Sequence, residues 1–158
     1  MFSAINLKKL ATSLLIPLAT GFLSWLFTNG NMEIYQRINV PPLSPASILF
    51  PIVWTILYIL MGISLYIFRV SRADCETKRK GYMFYALQLL FNFMWTVLFF
   101  NIEAFTFSAV WLAVMIILIL LNIIWFSRAN KLSAYLLVPY LIWCIFALYL
   151  NIGIAILN

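Results

Sequence analysis

The chain has 158 residues, of which 66% are hydrophobic and 9% charged, with a formal charge of +6 and no histidine. A soluble domain carries roughly 45–50% apolar and about 25% charged residues, so a free globular protein, a disordered chain and a collagen-like one are all excluded. With no imidazole, and with Glu33, Asp74, Glu76 and Glu103 as the only acids, hydrolytic and metal-dependent chemistry are poor expectations.

A spanning helix needs about 20 largely apolar residues. Five stretches qualify in chain order: 10–28, 46–68, 82–100, 104–126 and 132–157. None holds a Lys, Arg, Asp or Glu, as expected where a bare charge in lipid is costly. Backbone groups in hydrocarbon must bond internally, and the runs are too long and too continuous for barrel strands. The expected fold is all-α, a single integral membrane domain of five transmembrane helices. Lys8 and Lys9 precede a first run too long for a cleaved leader, and no small-x-small site closes it, so it is kept as a helix.

Nine of the ten basic residues fall on the N-terminal side: Lys8, Lys9, Arg69, Arg72, Lys78, Arg79, Lys80, Arg128 and Lys131. Arg37 alone lies opposite. The expected orientation is N-terminus in the cytoplasm and C-terminus outside, with the basic face against anionic lipid and no nucleic-acid partner. The connection 29–45 is long and ends in Pro41, Pro42 and Pro45, which suggests a partly rigid lid or binding loop. Asn101-Ile102-Glu103 joins spans three and four as a tight hairpin. Cys75 and Cys144 imply no disulfide, and small residues look too sparse to mark a dimer face.

Three stripes recur at helical spacing. Span two carries Trp54, Tyr58 and Gly62; span three carries Gln88, Asn92, Trp95 and Phe99; span five carries Tyr140, Trp143, Ala147 and Leu150/Asn151. At about 1.5 Å per residue, Trp54, Trp95 and Trp143 lie roughly 12, 9 and 16 Å from their span ends. That is deeper than an interfacial belt requires, whereas Trp25 and Trp125 fit a belt. Two readings stay open: aromatic packing between helices, or a pocket in which Tyr58, Gln88, Asn92 and Tyr140 supply the polar groups. Pro51 and Pro139 are each expected to bend a helix.

Val53-Trp54-Thr55-Ile56-Leu57-Tyr58 with Gly62, then Gln88-Leu89 with Asn92, Trp95 and Phe99-Phe100, then Leu136 to Trp143 with Phe146-Ala147 and Leu150-Asn151, resemble the signatures of the translocator protein / tryptophan-rich sensory protein (TspO/MBR) family. The resemblance covers nearly the whole chain. It implies a membrane receptor or sensor, commonly a homodimer, for porphyrins such as protoporphyrin IX and haem, and for benzodiazepine- or isoquinoline-type ligands. No cofactor is required, porphyrin being ligand or substrate. The implied pocket lies beneath the first loop, among spans one, two, three and five. By motif match its residues are Tyr35, Trp54, Asn92, Trp95, Trp143 and Ala147, to which the stripes add Tyr58, Gln88 and Tyr140.

Some members of that family are associated with light-dependent protoporphyrin breakdown, for which Trp54 and Trp143 would be the candidates. Transport of such ligands ranks last, since no ionisable group lies within a span to couple it to protons or ions, an objection that passive transport survives. Two departures stand out. Leu43 and Ala46 replace a loop tryptophan and a proline of the usual pattern, and no basic residue follows Tyr149 to complete a cholesterol-recognition pattern. The basic asymmetry suits a bacterial cytoplasmic membrane.

Overall fold

The charge-free runs of the sequence form long helices in the computed structural model, which describes residues 6–31 and 33–158. In order these are α1 (Leu7–Thr28), a 3₁₀ turn (Asn29–Asn31), short α2 (Ile34–Arg37), α3 (Leu49–Val70), α4 (Cys75–Thr96) running into a wide π turn (Val97–Asn101), α5 (Phe105–Ala129), short α6 (Lys131–Tyr135) and α7 (Val138–Leu157). Among the described residues, five continuous segments are long and apolar enough to cross a membrane, with α6 and α7 together forming the fifth. The fold is therefore an all-α membrane bundle, and no strand occurs among the described residues.

Helix ends depart from the apolar runs where capping chemistry takes over. Asp74 stands before α4, its Oδ1 accepting from the Thr77 backbone N–H at 2.9 Å and its Oδ2 from the Thr77 hydroxyl at 2.6 Å. This N-cap starts the helix at Cys75, well before the apolar run expected from residue 82, because a capped helix continues through charged residues outside lipid. Asn6 caps α1 in the same way, accepting from Lys9 N–H at 3.0 Å. Pro51 sits in the first turn of α3, where no N–H is needed, so the bend expected there is absent. Pro139 acts more strongly than a bend. The helix stops at Tyr135, passes through Leu136 and Leu137, and restarts with Pro139 in the first turn of α7.

Packing follows from side-chain size. On α1 the residues Ser13, Pro17, Gly21, Ser24 and Thr28 share one face, and four of these are buried. Small side chains let two helices approach closely, and α1 lies against α3 along this stripe. A Cβ on Gly62 would come within 2.8 Å of the Leu14 Cα, and one on Gly21 within 2.5 Å of the Tyr58 ring. Small residues therefore do mark a face, and that face is an internal seam. At the basic end of the bundle, Phe68 stacks on Phe126 at 4.0 Å and Tyr85 on Phe126 at 5.7 Å. Trp125 sits at this end under Lys80 and Arg128, 4.6 and 4.0 Å from its ring, in keeping with an interfacial position. Large apolar side chains such as Ile117, Leu120, Ile142 and Ile145 are exposed on the outside of α5 and α7, where lipid replaces water as solvent.

The first loop is tied down across the opposite end. Asn31 donates to Asn101 Oδ1 at 3.0 Å, and Asn101 donates in turn to the Phe27 carbonyl at 2.9 Å. Arg37 pairs with Glu103 at 3.3 Å. Asn39 and the C-terminal Asn158 exchange two hydrogen bonds of 2.9 Å, and Tyr149 donates to the Pro42 carbonyl at 2.9 Å. Leu43, where the resemblance leads one to expect tryptophan, has a left-handed backbone (φ 66°) and is 82% exposed. It covers nothing.

Candidate functional site

Beneath that loop the helices enclose a cavity of about 400 Å³, within the size range of small-molecule sites. Its wall is built by Leu18, Gly21, Phe22, Ser24, Trp25 and Thr28 of α1, Tyr35 of α2, and Phe50, Pro51, Trp54, Thr55 and Tyr58 of α3. Trp95, Thr96, Phe99 and Phe100 of the α4 segment and Ala147, Leu150 and Asn151 of α7 complete it. Four lining residues, Phe22, Trp25, Pro51 and Thr55, are exposed, and they mark the open side between the loop-end halves of α1 and α3. Helix α5 takes no part.

Local backbone geometry explains the crowding of rings. Near the end of α4 the Ile102 N–H bonds the Val97 carbonyl at 3.1 Å, a five-residue spacing that widens the turn. The wider turn holds Phe99 and Phe100, and both reach the cavity together with Trp95, which precedes the turn in α4. Trp95 lies 5.6 Å from Phe99 and 6.4 Å from Trp54. Trp54 also lies 5.6 Å from Tyr58 and 6.1 Å from Tyr140. At the top, the Tyr35 ring sits 5.2 Å from Phe50 and 6.4 Å from Phe99. Burial pushes the Tyr35 hydroxyl up to about 12, so it stays neutral.

Below Tyr58 a chain of buried polar groups forms the floor. The Tyr58 hydroxyl donates to Asn92 Oδ1 at 2.6 Å, Asn92 Nδ2 donates to the Tyr140 hydroxyl at 3.2 Å, and that hydroxyl donates to Gln88 Oε1 at 2.8 Å. Gln88, Asn92 and Tyr140 are fully buried. A second network holds Trp95, whose indole N–H donates to Asn151 Oδ1 at 3.0 Å. The Ser108 hydroxyl donates to the same oxygen at 3.0 Å, and Asn151 Nδ2 donates to the Phe105 carbonyl at 2.8 Å.

Of the nine residues singled out in the sequence, Tyr35, Trp54, Tyr58, Trp95 and Ala147 stand in the cavity wall. Gln88, Asn92 and Tyr140 lie one layer below, bound to one another rather than facing open space. Trp143 stands behind Phe50, ring to ring at 5.9 Å, with its indole N–H buried and unpartnered. Trp25, expected in an interfacial belt, is half exposed near the loop end of α1 and also lines the open side of the cavity. The resemblance placed span one at the pocket, but none of its lining residues was singled out as such in the sequence. Their signal was the small-residue stripe, which brings α1 close enough to α3 to form one wall. Among the described residues no cluster of His, Cys, Asp or Glu could hold a metal ion, and no charged side chain lines the cavity.

Residues 13–157 match the model of the TspO/MBR family. The chain belongs to this family. It is 36% identical over 155 residues to the tryptophan-rich protein TspO of Archaeoglobus fulgidus, covering 98% of this chain and 99% of that protein. A TspO of Chlorobaculum tepidum is 36% identical over 154 residues, covering 97% and 98%. The tryptophan-rich sensory protein of Cereibacter sphaeroides is 36% identical over 126 residues, covering 80% and 77%. The TspO/MBR match takes in every element that walls the cavity, from Leu18 to Asn151.

Proposed function

We propose that this family member is a membrane receptor or sensor that binds flat aromatic ligands in the cavity beneath its first loop. The ligand classes proposed are porphyrins, protoporphyrin IX and haem among them, and benzodiazepine- or isoquinoline-type molecules. One observation carries the reading: a cavity of about 400 Å³ walled by Trp54, Trp95, Tyr35, Phe99 and Phe100, with no charge in its lining. Burial of apolar rings and offset stacking supply affinity in such a wall. A porphyrin's carboxylates would stay at the loop end, where Arg37 is exposed. The expected orientation, N-terminus in the cytoplasm and loop outside, and assembly as a homodimer belong to the same proposal. The first rests on the basic asymmetry and the second on family membership.

A second reading is light-dependent protoporphyrin degradation. It is favoured by the position of Trp54, which lines the cavity and touches Tyr58, Trp95 and Tyr140. An indole there could donate an electron to an excited macrocycle with phenols close behind it. Trp143, behind Phe50, is a weaker candidate for that role. Passive transport has no comparable support.

Titration of the purified protein with protoporphyrin IX, following tryptophan quenching first in the dark and then under illumination, separates these readings. Saturable quenching with an unchanged porphyrin spectrum supports a receptor. A new product band that vanishes in Trp54→Phe supports photochemistry. Quenching that stays linear with ligand removes both.

A further inference from the structure

The cavity's polar groups are unequal in one respect. The hydroxyls of Thr28, Thr55 and Thr96 each donate back to their own helix, to the carbonyls of Ser24, Pro51 and Phe93 at 2.7, 2.7 and 2.6 Å. Tyr58 donates to Asn92, the Trp95 indole to Asn151, and the Asn151 amide to Phe105. Ser24 alone among the buried lining hydroxyls makes no hydrogen bond of ordinary geometry: it is 5% exposed, and its Oγ reaches only toward the Tyr58 hydroxyl, whose own hydrogen goes to Asn92. A helical serine ordinarily bonds the carbonyl one turn back, as Ser13 does to Lys9 at 2.7 Å on the same helix. A buried hydroxyl left unbonded weakens the fold, and each such group in a native structure calls for an explanation.

We propose that Ser24 is the cavity's hydrogen-bond donor to its ligand. The acceptor it meets is uncharged, a carbonyl or a ring nitrogen on the ligand edge that faces α1. An ionised acceptor would lose its hydration with no opposite charge in the wall to replace it. The site thus selects aromatic ligands bearing one neutral acceptor over equally flat hydrocarbons. This assignment rests on the cavity being a ligand site.

The test is equilibrium dialysis of 9-fluorenone and fluorene against the detergent-solubilised full chain, two ligands of one shape that differ by a carbonyl. Wild type should bind fluorenone about fivefold more tightly, the ratio expected for one net hydrogen bond. Ser24→Ala should abolish that preference while leaving fluorene affinity unchanged. Thr20→Val, which removes an α1 hydroxyl bonded to the Ile16 carbonyl and outside the cavity wall, should keep it. The assignment is overturned if wild type shows no preference, if Ser24→Ala retains it, or if Ser24→Ala weakens both ligands equally. A wild type that takes up protoporphyrin IX saturably but fails the Ser24 comparison loses this assignment alone. One that binds none of the three ligands loses the cavity reading as well.

Discussion

Tyr58 on α3, in the cavity wall, donates its hydroxyl to Asn92 on α4 at 2.6 Å, and Asn92 is buried directly beneath the aromatic cavity. The bond joins two helices at the depth where a ligand would rest. It also fixes the Tyr58 ring against Gly21 of α1 and near Trp54. One polar contact therefore sets the positions of three walls.

Removing both partners of that pair should cost less than the sum of removing each alone. Asn92→Leu leaves a buried phenol unbonded and also strips the Tyr140 hydroxyl of its donor. A loss of about 1–3 kcal/mol is expected. Tyr58→Phe with Asn92→Leu should lose less than the sum of the single variants, with a coupling of about 0.5–2 kcal/mol. Reversible unfolding in detergent, followed by circular dichroism, measures all three.

Gly62 tests the α1–α3 seam. Its missing Cβ faces the Leu14 backbone at 2.8 Å, and backbone cannot rotate aside as a side chain can. Gly62→Ala should therefore destabilise the bundle by roughly 1–3 kcal/mol through overpacking, despite alanine's better helix propensity. A stability equal to or above wild type would show that α1 shifts freely on α3.

The five spans were legible because lipid forbids charge, and a charge-free run of about 20 residues has few other meanings. Helix ends were less so. Hydropathy reports where lipid is, whereas Asp74 and Asn6 report where hydrogen bonding begins, and only the second sets the helix start. Pro51 and Pro139 look alike in sequence and both fall in a first turn, yet only Pro139 divides an apolar run into two helices. The tryptophans show the same limit for the site. Spacing put Trp54, Trp95 and Trp143 on inward faces, but only packing separates Trp54 in the wall from Trp143 behind Phe50. Trp25 looked interfacial by depth. It lines the cavity because the small stripe of α1 turns toward α3 and carries its neighbour to the open side.

Acid should loosen the start of α4. The hydrogen bonds from the Thr77 hydroxyl and backbone N–H hold the Asp74 carboxyl below its ordinary value of 3.8. A depressed value in the folded state means the cap's stabilisation is complete above pH 3.8 and is lost as pH falls through the lowered value. Asp74→Asn keeps a capping oxygen that does not titrate, so its stability should change less between pH 5 and pH 2 than that of wild type, on the order of the cap's contribution. Equal pH dependence in the two proteins would remove the cap from the account.

Orientation is testable with the native thiols. Cys75 is exposed at the basic end of the bundle and Cys144 is buried, so a membrane-impermeant maleimide reports Cys75 alone. Intact cells should show no labelling, and permeabilised cells should show about one thiol per chain. Labelling in intact cells would reverse the proposed topology.

The central claim is that ligand occupies the space among α1, α3, α4 and α7, and filling that space tests it most directly. Ala147 lines the cavity and is 7% exposed, so an indole at this position projects into the volume a ligand would need. Protoporphyrin IX affinity of Ala147→Trp, measured by saturable quenching alongside its helical circular dichroism spectrum, should fall at least about tenfold, a loss of about 1.4 kcal/mol, with the spectrum retained. An unchanged affinity in a folded Ala147→Trp protein would place the ligand elsewhere and contradict the account.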